Sequence, residues 1–326
     1  MHNYELISSL TDAKNICIIG HLNADTDALC SMYCLREFLI SRLQNVNIVL
    51  ATDTDSLQSN YLAILENTPI NALIDDIDTA ISIDCPNIGR LGKFSNIFTQ
   101  AKTKIVIDHH QTNNYFGDIN IVENNSSSCE IIYNIMKFYN YEISNEILGR
   151  LYAGIITDTM NFTVGELTDT TFEIASLASK RVDTQSIYDN FLNHHSATNM
   201  KLLAEAINNI KSFNDGKIII SYIRPKLVKK LKASFDEYTG IINRLSSIQN
   251  NFMTCLIEPK DNIFYVSLRG KRSYNVGEIA KKYGGGGHAG AAAFDSNLSL
   301  KKIKKLILNE FTKILKSTNK NYKFKF

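Results

Sequence analysis

NICIIGHLNADTD, residues 15–27, opens as an apolar run and closes on His21, Asp25 and Asp27. Short runs without polar alternation are strands buried on both faces, the kind found in parallel sheets. Three further segments repeat the arrangement: AISID at 80–84, KIVIDHH at 104–110 and GIITD at 154–158. All four read as buried strands, and they carry His21, Asp25, Asp27, Asp84, Asp108, His109, His110 and Asp158 at or just past their ends. Parallel sheets gather ligands beyond the carboxyl ends of their strands, so these side chains are expected to converge. A fifth segment, KKYGGGGH at 281–288, sets a histidine after four glycines.

Working outward, strands are expected at 15–20, 46–51, 80–84 and 104–107, with a helix from about 27 to 43. Apolar strands separated by helices predict an α/β fold with a mainly parallel sheet flanked by helices. Ser127-x-x-Glu130 is a capping-box signal for a helix to about Asn140. Another helix begins near Ser144 and runs toward Ile155, and one capped by Asp169 or Thr170 reaches about Lys180. Around NFLNHHSATN, 190–199, the chain turns polar and weakly periodic. We divide it there into a catalytic domain at 1–190, a linker at 191–202 and a smaller α+β domain at 203–326. In the latter, strands are expected at 217–223, 253–257, 263–268 and 290–294, with helices before the first, between the first and second, at 276–282 and at the end. His194 and His195, in the polar connector without a neighbouring acid, read as surface residues.

Composition bounds the function classes. With 326 residues, 44% hydrophobic and 21% charged, the chain has the makings of a two-domain globular protein. Six scattered cysteines without a CxxC pair point to a reducing, cytoplasmic setting and away from structural zinc. Neither a signal-peptide pattern nor an apolar run of membrane-spanning length is present, so no membrane role is expected. A net charge of +2 is too small for bulk adhesion to long nucleic acid. From Lys301 onward nine lysines face one acid, Glu310, which reads as a solvated helix face and tail.

Taken singly, an aspartate after a strand is usually a cap, and a DHH tripeptide is usually a surface turn. Together they form a cluster of carboxylates and imidazoles that cations must offset. Mixed nitrogen and oxygen donors suit Mn2+, with Mg2+, Fe2+ or Co2+ as alternatives. Two such divalent ions roughly 3.5–4 Å apart would lower the pKa of a bridging water and neutralise a phosphoryl group under in-line attack. The glycine run follows a helix and lacks the lysine and hydroxyl of a Walker loop, so it is neither that motif nor a dinucleotide fingerprint. Its bare backbone can approach an anion closely, with Arg269 and His288 adding charged donors.

HLNADTDAL, the Asp84 strand end, IDHHQTN and ITDTMNF resemble the signature motifs of the DHH phosphoesterase superfamily over most of residues 15–185. The resemblance implies that His21, Asp25 and Asp84 hold one ion. Asp27, Asp84, His109 and Asp158 would hold the other, with Asp84 bridging. Asp108 would orient the histidine pair, and His110 would face the substrate as a phosphate contact or proton donor. Ala24 stands where proline is common, and Met160 where glycine is common.

SLRGKR, 267–272, together with the glycine run, resembles the DHH-associated C-terminal domain of the NrnA-like branch, over about 235–294. That implies Arg269, Gly286, Gly287 and His288 as substrate contacts. Tyr283 and Phe116 are the aromatics nearest the motifs for stacking on a base. The expected activity is hydrolysis of short oligonucleotides such as pApA to mononucleotides, with removal of phosphate from 3′-phosphoadenosine 5′-phosphate (pAp). Pairing of two copies through the catalytic domain is common in the branch. The rival within enzymes is a cyclic di-AMP phosphodiesterase, and the rival of another class is a catalytically silent nucleotide-binding regulator.

Overall fold

The computed structural model describes residues 6–53, 64–65, 68, 70–72, 76–193, 195–271, 274–287 and 289–317. His194, Arg272, His288, Lys320, Lys323 and Lys325 lie outside them. The chain divides into two compact units, Met1–His194 and His195–Phe326.

In the first unit the strands are β1 (Asn15–Ile19), β2 (Asn47–Ala51), β3 (Thr79–Ile83), β4 (Thr103–Asp108) and β5 (Ile119–Val122). They pair in parallel in the order β2-β1-β3-β4-β5. From β1 the chain goes one way to form β2 and the other way to form β3. The order therefore reverses between β1 and β3, where a parallel sheet opens a crevice at its carboxyl edge. After a single helical turn at Leu6–Ser9, the helices are α1 (Thr26–Arg42), α2 (Ser95–Gln100), α3 (Ser128–Phe138), α4 (Asn145–Asp158), α5 (Asp169–Arg181) and α6 (Thr184–Phe191). Most of α1 is buried, and it packs on α3 and α4. Gly154 permits that closeness: a Cβ there would meet Cys129 Sγ at 2.4 Å and Asp27 Oδ1 at 2.8 Å.

Several expectations need correcting. GIITD is the last turn of α4, so Asp158 stands at a helix C-terminus and not at a strand end. Five residues are too few to separate the two periods, and the Ser144 hydroxyl, which accepts from Ile147 N, starts a helix that carries through them. Helix α5 is capped by Thr168, in a box with Thr171, and not by Asp169 or Thr170. Only half of the box at Ser127 forms. Ser127 accepts from Glu130 N, while the buried Glu130 carboxylate is taken by Ser126, Thr168 and Thr171. Strand β5 and helix α6 were not expected; β5 is short and half-polar, and α6 has no buried residue to mark its face.

The second unit contains α7 (Ala197–Asn208), β6 (Lys211–Phe213), β7 (Ile218–Tyr222), α8 (Pro225–Leu231), α9 (Ile241–Ser246), β8 (Met253–Lys260) and β9 (Ile263–Gly270). It continues with α10 (Gly277–Lys282), β10 (Gly286–Gly287), β11 (Ala291–Ser296) and α11 (Leu300–Ser317). The sheet order is β10-β11-β9-β8-β7-β6, antiparallel except where β7 meets β8. Met253, Cys255 and Ile257 on one face of β8 join Ile303, Ile307 and Phe311 of α11. Leu256 on the other face joins Leu202 of α7 and Ile241 and Leu245 of α9. All six cysteines are free and buried. No helix among the described residues is long and apolar enough to cross a membrane.

Candidate metal centre and a second cavity

The strand order decides which donors meet. β3 lies between β1 and β4, so Asp84 at its tip stands between His21, past β1, and His109, past β4. His21 Nε2 lies 3.5 Å from Asp84 Oδ2 and 3.8 Å from Asp25 Oδ2. His109 Nε2 lies 3.4 Å from Asp84 Oδ1 and 3.5 Å from Asp158 Oδ2. Three groups of donor atoms result, each within 4.8 Å: His21, Asp25 and Asp84; Asp27, His109 and Asp158; and Asp84, His109 and His110. Every metal residue expected from the sequence is thus in the cluster, and Asp84 and His109 each serve two groups.

The helices bring the remaining acids. Asp25 caps α1, its Oδ1 accepting from Ala28 N at 3.1 Å, and Asp27 sits in the first turn. The Asp27 carboxylate also accepts from Ser128 N at 2.7 Å and Cys129 N at 3.0 Å, at the start of α3. Backbone donors at a helix start favour negative charge there. Asp84 has φ of +56°, a left-handed conformation that costs energy in a residue with a Cβ. Its own N–H donating to Ile107 O at 2.9 Å, and the Ser128 hydroxyl donating to its Oδ1 at 2.9 Å, hold it there.

A second layer aims the rings. His21 Nδ1 lies 2.8 Å from Leu22 O, and His109 Nδ1 lies 3.2 Å from Asn125 O. A neutral ring whose Nδ1–H donates to that carbonyl would offer the Nε2 lone pair to a cation, the usual posture of a metal-binding imidazole. His110 is different: its Nδ1 faces Asp108 Oδ1 at 2.8 Å, and Asn113 Nδ2 donates to Asp108 Oδ2 at 2.6 Å. Asn113 also bonds Cys85 O at 3.1 Å, tying this chain to the end of β3. Arg90 reaches within 3.1 Å of His21 Nδ1. Leu22 O and the Arg90 guanidinium thus both face that nitrogen, which sets a positive group at the edge of the cluster.

Burial lowers the His21 pKa, but Asp25 and Asp84 outweigh it and hold it at about 10. His109 is likewise lowered by burial, then lifted to about 11 by Asp84, Asp27 and Asp158. Burial raises Asp27 well above the carboxylate range, and Asp84 and Asp158 add to the rise. Burial and neighbouring acids bring Asp158 to about 6 against the pull of His109. Asp84 moves the other way, its burial overcome by hydrogen bonds from His109 and His21. Acids that resist ionising beside imidazoles that resist neutrality form a cluster short of positive charge. Oxygen and imidazole donors so arranged fit divalent cations such as Mn2+.

The second unit has a cavity of about 650 Å³ against one face of its sheet. Arg269, Gly286 and Gly287, named from the sequence, line it; His288 lies outside the described residues. Phe235, Tyr265, Asn243 and Glu258, which sequence reasoning missed, line it too. For Glu258 and Tyr265 the signal is the pleat, in which alternate residues share a face, and it becomes legible only once the register is known; Phe235 and Asn243, on helical turns, carry no such signal. Tyr283 and Phe116 are packing residues, Tyr283 against Phe294 at 5.3 Å and Phe116 against Phe98 at 5.2 Å.

The model of the DHH family, N-terminal domain, matches residues 15–155, and that of the DHHA1 domain matches residues 215–317. A probable bifunctional oligoribonuclease and PAP phosphatase NrnA of Streptococcus mutans is 27% identical over 299 residues, covering 89% of this chain and 92% of that protein. The bifunctional oligoribonuclease and PAP phosphatase NrnA of Bacillus subtilis is 24% identical over 294 residues, with coverages of 87% and 90%. Among solved structures, an exopolyphosphatase-related protein from Bacteroides fragilis has a TM-score of 0.85 at 23% identity, covering 95% of both chains. An exonuclease RecJ bound to manganese has a TM-score of 0.51 at 12% identity, covering 97% of this chain and 94% of that one. These two structural likenesses are of fold.

Proposed function

We propose that this chain, which matches the DHH family model over residues 15–155 and the DHHA1 model over 215–317, is a Mn2+-dependent phosphoesterase. It hydrolyses short oligonucleotides to mononucleotides and removes phosphate from pAp. Two relatives whose names carry both activities, aligned over most of their length, support the substrate class. The observation that carries the chemistry is the overlap of donor groups on Asp84 at the reversal of strand order.

In this reading His21, Asp25 and Asp84 hold one divalent ion, and Asp27, Asp84, His109 and Asp158 the other. When bound, the ions supply an activated water and offset charge on the phosphoryl group. The chain's own groups do the rest. His110, its Nδ1 tied to Asp108, gives a proton to the leaving oxygen. Arg90 meets a phosphate oxygen on the His21 side. In the second unit, Arg269 and the backbone at Gly286 and Gly287 offer donors to a nucleotide phosphate.

The test is hydrolysis of pApA and pAp by protein loaded with Mn2+, with cyclic di-AMP run beside them. Mononucleotide from pApA at a kcat/KM well above that for cyclic di-AMP is the expected result. Asp84→Ala should lower turnover by at least about a thousandfold, the scale of losing a group that acts in the transition state. Its affinity for AMP, measured by calorimetry, should be unchanged. Loaded wild-type protein inert on pApA and pAp would end this reading.

A further inference from the structure

The cavity of the second unit contains a carboxyl group that the proposed function leaves without a role. Register places it: Glu258 of β8 stands beside Tyr265 of β9, and Arg269 and Ser267 of β9 stand beside Ala291 and Ala293 of β11. All lie on the face opposite the α11 core, against the segment that runs from Phe235 to Asn243. Glu258 is only 3% exposed, and Ser267 Oγ donates to its Oε2 at 2.6 Å. Among the described residues no second hydrogen bond reaches this carboxyl. Nor does Arg269 neutralise it at ion-pair distance: its Nε donates to Asn243 Oδ1 and its Nη1 to Leu268 O, each at 3.0 Å. The Glu258 Oε1 is not among the buried atoms left without a partner, so it opens on the cavity, where a donor from a ligand can reach it. Burial pushes the Glu258 pKa up to about 7, against the help of Ser267 and Arg269.

The glycines point the same way. A Cβ on Gly285 would strike Ala293 O at 2.1 Å, and one on Gly287 would strike Ala291 O at 2.5 Å, so the fold requires both. A Cβ on Gly286 would meet nothing within 4 Å, and its φ is not positive. Among the described residues no neighbour demands glycine at 286; the bare backbone leaves room in the cavity. The walls suit a flat ligand: Phe235, 42% exposed, meets Tyr265 edge-on with ring centroids 5.2 Å apart.

We propose that Glu258 is the residue with which this cavity reads a nucleobase, its free Oε1 accepting from an exocyclic amino group while Arg269 and the Gly286 backbone take the phosphate. This rests on the proposed function and deepens it by naming the base preference. Adenine, guanine and cytosine each offer an amino donor. Uracil has none, and it flanks its single N–H with two carbonyl oxygens that repel a carboxylate. Ends carrying A, G or C are therefore held, and ends carrying U are discriminated against.

The experiment compares kcat/KM at pH 8, where the Glu258 carboxyl is ionised, for pApA, pGpG, pCpC and pUpU in wild type and Glu258→Gln, with bis(p-nitrophenyl) phosphate as a base-free substrate. Wild type should disfavour pUpU by about tenfold or more, the scale of one hydrogen bond to a charged group. Glu258→Gln keeps an acceptor for Ser267 and turns an amide N–H toward the cavity. It should bring the ratio of pApA to pUpU toward one and leave the base-free rate unchanged. Equal wild-type rates on all four dinucleotides, or a ratio unmoved by Glu258→Gln, would overturn the inference and leave the proposed function standing. Failure of wild type on every dinucleotide, with the base-free substrate still hydrolysed, would overturn both. If Glu258→Gln does not fold, wild-type titrations with AMP, GMP, CMP and UMP decide the matter, since UMP must bind weakest. Gly286→Ala supplies a contrast: it should raise KM for all four dinucleotides together.

Discussion

Asn113 illustrates how far a residue can act from the atoms it influences. Its amide holds Asp108, which holds His110; the same nitrogen also bonds Cys85 beside Asp84, and its Oδ1 accepts from Tyr115 N. Replacing it with Ala leaves every metal donor in place but frees the Asp108 carboxylate to rotate. We expect Asn113→Ala to lower kcat on pApA by ~10–100-fold, the usual cost of losing an outer-layer partner. KM and Mn2+ affinity should hardly move, and the acidic limb of the kcat–pH profile should shift. Equal losses in kcat and metal affinity would mean that Asn113 only supports the fold. The donors themselves were legible in the sequence because each ends an apolar run or opens the helix after one. Ser128, Asn113, Arg90 and Glu258 were not, because nothing local distinguishes a polar residue with a distant partner from one facing water. Ser128 finds Asp84 only once α3 has docked on the β3 tip.

At the scale of elements, the near contact of α3 and α4 sets the Asp27 side of the metal centre. Gly154 touches Cys129 and Asp27, so a methyl group there has no free space to enter. Gly154→Ala should destabilise the first unit by roughly 1–3 kcal/mol, the cost of overpacking, despite alanine's better helix propensity. Urea unfolding measures that loss, and a parallel Mn2+ titration should show weakened binding because Asp27 and Asp158 are pushed apart. A gain in stability would contradict the packing described. The elements were easiest to read where period and length agreed, as in α1 and β1 to β4. They were hardest where a run was short: GIITD carries the right aspartate on the wrong element, and β6 has three residues with two exposed.

Across the molecule, each unit has a core of its own, and the two differ in how acid and base act on them. Glu258 is the second unit's lever. Its pKa rises from 4.5 to about 7 on folding, so the folded state favours the protonated form. The resulting stabilisation is complete below pH 4.5 and is lost as pH rises through 7. The difference is on the order of 3 kcal/mol. Melting of the second unit at pH 5 and pH 8 should expose the slope in wild type, and Glu258→Gln should flatten it. A slope that survives the substitution would place its origin elsewhere. The division into a parallel α/β part and a smaller mixed part was legible in the switch from continuous apolar runs to a more varied pattern. The second unit's cavity was not, because it depends on which of four adjacent strands pair and in what register.

The ligating side chains enter the sequence one after another, His21 early and Asp158 much later, as the closing residue of α4. A nascent chain emerging from the ribosome therefore exposes His21, Asp25 and Asp27 long before their counterparts exist. Under the proposed function, capture of a second ion would wait until synthesis has passed residue 158 and the helix has docked. Hydrolytic competence thus arrives as a late checkpoint on assembly, and a polypeptide truncated before that point would be born inert.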